Sequence, residues 1–582
     1  MTGQIRTIWT LAALGIAWGA LLCAYQGVML ESDDVLYARL ASDLAEGHPT
    51  FAINPHTYRL GYIVPLAALY QAFGIHEWTT VAFPLLCGLL TVLLAAYAAD
   101  RLYGRRAALV AALLCGFNPI LYRSASVGMP DVPAGFLYGV FIVGWLLVVA
   151  DRAGCARTWA LLSGLACAWA VATRESTAPM VLVTLAGFLT VGWRGGKLRE
   201  FPFREWLSGC CLIGIPYLSY LWWHTGTPFY MLKAAQGGFA FAGVPWLNQL
   251  EGFPLAARLT GLTILRASLE GYLFAVLPVL LASAIGGLPG GDGPSDLIRR
   301  HLLVAILSPL LILSHFSTTL SQWAPIHLDL RFGSPLVVPA GILAAAASLR
   351  LPEVPLAKAA RIGVGLVLLA AIGLVGVSWT RDNHWSLIGG LAAVAACLAL
   401  LLAKRLPKAV LPALTVALLM ANWGWHFTHV FTEEAARNRM VRHDAEAVPW
   451  DPALPILTNP LAVRMLLYLH RFADAPLVAT WKGTGEIGRP FYWEVRLDGP
   501  WAGPYLLVWH RGEAAVQTQR WYGQVPPWVF QELARGRLIR PFLDESTFVP
   551  AFPSFDRPRT LSDEYRTWPQ SGIYLIEARH EG

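Results

Sequence analysis

Three acidic residues are candidates for chemistry because each lies beside a long apolar stretch. Asp33 and Asp34 follow the first such stretch, in the segment ESDDVLYARLASDLAEGHPTFAINPHTYRLG (31–61), and Asp131 lies between two prolines in SASVGMPDVPAGF (124–136). A carboxylate at the edge of a membrane span is costly unless it faces water or a partner, so these residues are functional candidates. One of them could act as a general base toward a hydroxyl. The alternative is helix capping, with the negative charge stabilised by the helix dipole.

Basic residues near other apolar stretches add a second kind of chemistry. Arg331, in DLRFGSPLVVPAGILAA (329–345), carries a guanidinium that stays charged at any relevant pH. The alternative for Arg331 is an interfacial side chain that reaches out to the membrane surface. Arg174 and Glu175 are adjacent at the end of a predicted span, where they could pair with each other; a structural ion pair and a site role are equally compatible with the sequence.

The composition says which kind of protein must position these residues. Of the 582 residues, 56% are hydrophobic and only 14% are charged, and the mean hydropathy is +0.50. A soluble chain usually has about 25% charged residues. This high hydrophobic content excludes a disordered protein and a soluble enzyme with a small anchor. A nucleic-acid binder is excluded because the net charge of +7 is scattered between apolar blocks. A polytopic membrane protein is predicted.

Apolar stretches long enough to span a bilayer predict about thirteen transmembrane helices. The first is interpreted as an uncleaved span rather than a signal peptide, because it is long and lacks a small-x-small cleavage site. The segment 60–75, which contains Pro65, predicts an interfacial helix. The predicted spans are 8–30, 78–99, 107–123, 133–150, 158–173, 177–193, 205–223, 262–286, 301–320, 333–349, 362–379, 385–403 and 409–426.

The charges of the loops and the end of the chain predict the topology and the domains. Basic residues collect on one side, which the positive-inside rule assigns to the cytoplasm, so the N-terminus is predicted to be cytoplasmic and the C-terminus outside. From about residue 427, strand-like and helix-like segments alternate, which predicts a soluble α/β domain. The predicted domains are 1–426, a membrane domain with an outer first loop at 31–77, and 427–582, an outer α/β domain.

Metal and disulfide chemistry find little support in the sequence. Seven of the eight cysteines lie in apolar stretches, and no CxxC or CxxH spacing occurs. Side chains that could bind a divalent ion are Glu46, His48, His56, His327 and Asp329. Their spacing is not that of a ligand set, so no metal site is predicted.

A series of short motifs resembles the GT-C membrane glycosyltransferases of the protein-mannosyltransferase and aminoarabinose-transferase type. Asp33-Asp34 followed by Tyr37-Ala38 is similar to the opening motif of that family, with Leu36 where Arg or His is usual. The likeness covers roughly 1–350. The further matching segments are YRLGYIVPLAALYQAFG (58–74), RLYGRR (101–106), FNPILYRSASVGMPD (117–131), RES (174–176), GTPFY (226–230) and DLRFGSPLVVPAGILAA (329–345).

The resemblance implies transfer of a sugar from a polyprenyl-phosphate carrier to an acceptor on the outer face. It implies that Asp33 activates the acceptor hydroxyl, that Asp131 supports the site or a metal, and that Arg331 holds the carrier phosphate. Arg59 lies near the place where relatives have a lysine in the first loop, at a different spacing, and is the second residue predicted to bind the donor phosphate. Some relatives bind a divalent metal ion. Asp34 is a catalytic candidate together with Asp33 and Asp131. The residues that could support the site are Tyr37, Arg174, Glu175, His327 and Asp329.

The predicted function is therefore an inverting, lipid-linked glycosyltransferase of a bacterial inner membrane. Its partners would be a polyprenyl-phosphate sugar and an envelope glycan, lipid or protein acceptor. A transporter or flippase of lipid-linked sugars is the alternative, although it would be expected to have charges at the midplane and inverted repeats. A non-catalytic membrane scaffold would leave the shared outer face of Asp33, Asp131 and Arg331 unexplained.

Overall fold

The computed structural model divides the chain into two units, each described by itself below. The helical unit comprises Met1–Gln26 and Ile53–Phe427, and the sheet unit comprises Gly27–Ala52 and Thr428–Gly582. The structure describes residues 15, 18–19, 33–49, 55–150, 154–230, 293–315, 330–351, 358–380, 384–402, 407, 409–426, 442–458, 460–473, 476–481, 495–509, 525–542 and 572–577.

Long apolar helices make up the described part of the helical unit. Four of its segments are long and apolar enough to cross a membrane: Glu77–Tyr103, Asp131–Val149, Thr177–Arg194 and Arg331–Arg350. With α1 reserved for the helix of the sheet unit, the helices here are α2 Leu60–Phe73, α3 Glu77–Tyr103, α4 Arg105–Gly116, α5 Pro119–Ala125, α6 Asp131–Val149, α7 Ala156–Thr173, α8 Thr177–Arg194, α9 Phe203–Thr225, α10 Gly293–His315, α11 Val337–Arg350, α12 Lys358–Thr380, α13 His384–Leu401 and α14 Val410–His426. Short 3₁₀ helices cover Pro55–Tyr58, Leu198–Glu200 and Leu330–Leu336.

Local residue chemistry explains where the structure departs from the predicted spans. The predicted span 107–123 is two helices, because Asn118 ends one and caps the next: its side chain accepts the N–H of Ile120 at 3.0 Å, with Pro119 in the first turn. The predicted spans 8–30 and 262–286 lie largely or wholly outside the described residues. The count of thirteen therefore stays a prediction, while a mainly helical membrane fold is what the structure has.

Glycines allow some helices of this unit to approach each other very closely. A Cβ placed on Gly164 of α7 would overlap the carbonyl oxygen of Trp206 in α9, and one on Gly209 of α9 would overlap the carbonyl oxygen of Leu161. A Cβ on Gly135 of α6 would lie 2.7 Å from the backbone of Ser334, so α6 packs equally closely on the 3₁₀ helix Leu330–Leu336. Small residues at such positions are typical of helix packing in membranes.

The sheet unit contains a six-stranded mixed sheet. Its strands are β1 Ile456–Thr458, β2 Val478–Trp481, β3 Val495–Leu497, β4 Tyr505–Trp509, β5 Arg537–Pro541 and β6 Gly572–Ile576. They lie in the order β3-β2-β1-β4-β6-β5. The first four strands in that order are mutually parallel, with Thr458 opposite both Thr480 and Val508, and β6 pairs antiparallel with β4 and β5. Since parallel neighbours need a crossover connection, the helix Pro460–Leu469 between β1 and β2 follows from the topology.

Helices of this unit whose bounds the structure describes are α1 Asp33–Ala45, α15 Pro460–Leu469 and α16 Pro527–Arg535. One core cluster joins Trp481, Trp509 and Tyr505 of the sheet to Val529 and Leu533 of α16. Helix α1 belongs to this unit although it lies more than 400 residues before α15 in the sequence. The acidic first loop, which the sequence analysis assigned to the membrane domain, is therefore divided: residues 27–52 group with the C-terminal segment.

Candidate functional site

Asp33 and Asp34 form the first turn of α1, in the sheet unit. Asp34 is fully buried, and one of its carboxylate oxygens accepts the N–H of Val35 at 3.0 Å. Asp33 is half-buried, and both lie within the helix rather than at the residue that precedes it. Negative charge in the first helical turn is favourable because the N–H groups there have no partner within the helix. Tyr37, one turn later, is fully buried.

Asp131 forms a buried ion pair with Arg174 in the helical unit. The carboxylate is the first residue of α6 and is 3% exposed, and the arginine follows the C-terminus of α7 with a side chain that is 12% exposed. The Nε of Arg174 also donates to the hydroxyl of Ser176 at 2.9 Å. Breaking a buried pair by removing one partner leaves an uncompensated charge, which is strongly destabilising. The pair therefore ties α6 to the turn that follows α7.

Glu175 forms a second ion pair, with Arg59. The Nε of Arg59 donates to one carboxylate oxygen of Glu175 at 2.7 Å, and an Nη of the same guanidinium bonds the other oxygen. Burial would raise the pKa of this carboxyl, but the charge and hydrogen bonds of Arg59, together with the charge of Arg174, outweigh it and lower the pKa to about 2. Arg59, predicted to bind the donor phosphate, is thus engaged in a two-point contact with a carboxylate.

Arg174 and Glu175, which could pair with each other on sequence grounds, each form an ion pair with a residue of another element. They occupy the short turn between α7 and α8: Arg174 pairs with Asp131 at the start of α6, and Glu175 pairs with Arg59 just before α2. We call Arg174 and Glu175, with their two partners, the double clasp.

Arg331 lies in the 3₁₀ helix before α11, and an aromatic side chain links it to the double clasp. The guanidinium of Arg174 lies 4.2 Å from the ring centroid of Phe332, and that of Arg331 lies 5.5 Å from the same centroid. Both are within the range in which a ring face attracts a cation. The ring therefore holds two guanidinium groups near each other, an arrangement suited to binding an anion.

Phe332 directly follows Arg331 in the segment DLRFG that carries the family resemblance, but no role was predicted for it. An arginine followed by an aromatic residue is too common to be a signal by itself. The other predicted residues of this region, His327 and Asp329, lie outside the described residues. No group of three or more His, Cys, Asp or Glu side chains suited to a metal ion occurs in the part of the chain that the structure describes.

Part of the helical unit matches a known family. Residues 61–223 match the family model described as dolichyl-phosphate-mannose-protein mannosyltransferase. We call this matched range the mannosyltransferase-type domain. The resemblance found in the sequence motifs is confirmed over this range. The mannosyltransferase-type domain contains Asp131, Arg174 and Glu175 of the double clasp, whereas Asp33, Asp34 and Arg331 lie outside it. No curated protein matches the chain.

Solved structures show that the fold extends beyond the mannosyltransferase-type domain. The chain is similar to ArnT from Cupriavidus metallidurans bound to undecaprenyl phosphate, with a TM-score of 0.54 and 15% identity over 86% of this chain and 92% of that one. The apo form of the same protein gives a TM-score of 0.52 and 15% identity over 83% and 87% of the two chains. At this identity the likeness establishes the fold alone, which is that of the solved ArnT structures.

Proposed function

We propose that this protein transfers a sugar from a polyprenyl-phosphate donor to an acceptor hydroxyl on the periplasmic face of a bacterial inner membrane. The observation that carries the proposal is the mannosyltransferase-type domain at 61–223 within a chain that has the ArnT fold. ArnT has been solved with undecaprenyl phosphate, which makes a long-chain polyprenyl phosphate the donor class to test first. The acceptor is an envelope glycan, lipid or protein.

Arg331 is the proposed ligand of the donor phosphate. Its guanidinium would bind two phosphate oxygens and stabilise the negative charge that develops as the carrier leaves. The contact with Phe332, at 5.5 Å, supports this role because it limits the orientations available to the guanidinium. Asp131 would act through Arg174, which it neutralises, rather than by touching the substrate. The ion pair of Arg59 and Glu175 would stabilise the turn between α7 and α8 that carries Arg174.

Asp33 is the proposed general base, with Asp34 as the second candidate. In the proposed step, the acceptor oxygen attacks the anomeric carbon as its proton passes to the carboxylate. The bond between the anomeric carbon and the phosphate oxygen breaks, and polyprenyl phosphate leaves. A single displacement of this kind inverts the anomeric configuration. A positioned base contributes about 10²–10⁴-fold to such a step.

The test measures sugar incorporation and release of free polyprenyl phosphate by the purified protein. A panel of polyprenyl-phosphate sugars is incubated with a bacterial envelope extract and each variant. Asp33→Asn is expected to lower kcat by about 10²-fold or more, and Arg331→Lys to raise KM for the donor. The matched control is Asp451→Asn, which changes an exposed carboxylate of the sheet unit and should leave the rate unchanged.

Full transfer by both Asp33→Asn and Asp34→Asn would refute the proposed base. If the wild-type protein binds a donor without consuming it in the presence of the extract, the transferase proposal fails. The alternative of a transporter for lipid-linked sugars would then be tested by the movement of that donor across a vesicle membrane.

A further inference from the structure

Arg39 of α1 is held by a residue far along the chain. Its Nη1 donates to the backbone carbonyl oxygen of Phe472 at 3.2 Å, across 433 positions of sequence. The centre of the same guanidinium lies 5.2 Å from the centroid of the Phe472 ring. One arginine thus makes a hydrogen bond and a cation–π contact with a single residue. Both residues belong to the sheet unit.

A carboxylate on α1 orients this guanidinium. Asp43 lies one turn after Arg39, and its Oδ1 is 2.8 Å from the arginine Nε, with the aspartate side chain 7% exposed. An ion pair at this spacing places both groups on the same face of the helix. The planar guanidinium is therefore held on one edge by Asp43 and on another by Phe472, which is a contact that a lysine cannot reproduce.

The backbone at Phe472 has a conformation that presents its carbonyl to α1. Arg471 and Phe472 have φ of 55° and 60°, the left-handed region that bulky residues rarely adopt. These residues follow the C-terminus of α15, where the N–H of Phe472 donates to the carbonyl of Leu467 at 2.6 Å. The carbonyl of Phe472 is not needed for that turn and accepts from Arg39 instead. Such an outlier points to a role for the residue that adopts it.

We propose that Arg39 is a positioning residue that fixes the orientation of α1 on the sheet unit and so directs the carboxylates of Asp33 and Asp34. A helix of 13 residues is marginally stable alone, so the contacts of α1 determine its orientation. Arg39 lies about two turns from Asp33, and a rotation of the helix about its axis would turn both carboxylates away. The C-terminal segment thereby acts as the support of the proposed base. This inference rests on the proposed function.

The test compares Arg39→Gln and Arg39→Lys with a matched control, Arg442→Gln. The control removes an arginine from another i,i+4 pair of the same unit, with Glu446 at 3.3 Å. Arg39→Gln is expected to lower kcat by about 10- to 100-fold with KM for the donor within about twofold, since misplacing a reactive group costs rate rather than binding. Arg39→Lys should recover only part of kcat, and Arg442→Gln should match the wild type.

Hydrogen exchange of the full-length protein supplies a readout that does not depend on activity. In Arg39→Gln, amides of Asp33–Ala45 should exchange faster while those of Tyr505–Trp509 keep their protection. Wild-type kcat and wild-type exchange in Arg39→Gln would overturn the inference, as would full rescue of kcat by Arg39→Lys. If Arg39→Gln raises exchange throughout the sheet, the substitution has destabilised the whole unit. The kcat of Arg39→Lys then tests the inference: partial recovery supports it and full recovery overturns it.

The two proposals fail in different ways. Unimpaired transfer by both Asp33→Asn and Asp34→Asn would refute the proposed base and with it the catalytic part of this inference. Even then, hydrogen exchange of the amides of Asp33–Ala45 would measure whether Arg39 holds α1 on the sheet unit. Normal transfer by Arg39→Gln combined with loss of transfer by Asp33→Asn would refute the positioning role alone.

Discussion

At the scale of single residues, the buried pair of Asp131 and Arg174 has the clearest energetic consequence. Asp131→Asn should lower the free energy of unfolding by about 3–5 kcal/mol, because it leaves the arginine charge buried without a counterion. Unfolding in mixed detergent micelles measures this. The double variant Asp131→Asn/Arg174→Met should recover part of the loss, since it removes both charges.

The matched control for this pair is an exposed one. Arg157 and Glu205 lie 3.4 Å apart, and the arginine side chain is 84% exposed. Exposed ion pairs contribute about 0–1 kcal/mol, so Arg157→Gln should barely change stability. If Asp131→Asn lowered the free energy of unfolding as little as Arg157→Gln, burial would not strengthen the ion pair of Asp131 and Arg174.

The lowered pKa of Glu175 predicts a pH dependence with a definite sign. Its pKa is about 2 in the folded protein against an ordinary value of 4.5, so the unfolded chain takes up the proton first as pH falls. The stabilisation is complete above about pH 4.5 and is lost between there and pH 2. The difference in Tm between wild type and Glu175→Gln should therefore shrink below pH 4.5. Arg59→Gln should lose the same pH-dependent part of the stability. A difference in Tm between wild type and Glu175→Gln that stays constant down to pH 3 would contradict the lowered pKa of Glu175.

At the scale of helices, the close approach of α7 and α9 depends on glycine. Gly164→Ala should destabilise the protein by about 1–3 kcal/mol, because the added methyl group overlaps the carbonyl of Trp206 and forces the two helices apart. Gly214 is the control on α9, since a Cβ there has nothing within 4 Å. Gly214→Ala should be neutral or stabilising by up to about 1 kcal/mol through helix propensity. Equal Tm values for the two variants would show that the helices adapt.

The long apolar helices of this unit show how much of the fold could be predicted from the sequence. Apolar length fixed the approximate position of α3, α6 and α8, because burying backbone polar groups in lipid leaves helix as the available form. The break at Asn118-Pro119 was predictable in principle, since that dipeptide is a helix-start signal, but hydropathy averages over it. The 3₁₀ helix before α11 carries no such signal.

The candidate site was harder to predict than the helices. Charge at the ends of spans identified Asp131, Arg174 and Glu175, but not which residue pairs with which. Those pairings depend on side-chain directions in the turn after α7 and on the approach of α2 and α6. The contact of Arg39 with Phe472 is still less accessible, because nothing local in either segment indicates the other.

At the scale of the whole molecule, a native cysteine reports the orientation in the membrane. Cys155 is exposed in the turn before α7, and its thiol lies 2.8 Å from the hydroxyl of Thr158, which lowers its pKa. The positive-inside argument assigns this loop to the cytoplasm. A membrane-impermeant maleimide should therefore label Cys155 in inverted vesicles and not in intact spheroplasts.

The opposite pattern is expected in the sheet unit. Gly503→Cys, in a Cys155→Ser background, places a thiol in the exposed turn before β4, where a Cβ meets nothing within 4 Å. This thiol should be labelled in intact spheroplasts. Labelling of both positions from the same side would overturn the proposed topology.

The sheet unit is built from two segments that are far apart in the sequence, with residues 27–52 separated from 428–582 by about 380 residues. A ribosome working at about 5–20 residues per second needs roughly 20–80 s to make the intervening chain. Throughout that time α1 has been synthesised, but the carbonyl of Phe472 that Arg39 will contact has not. A chain whose synthesis stops before residue 472 would contain Asp33 and Asp34 but not Phe472, which holds Arg39. Completion of translation is thus itself a condition for assembling the unit, and truncated products should be inert in the membrane.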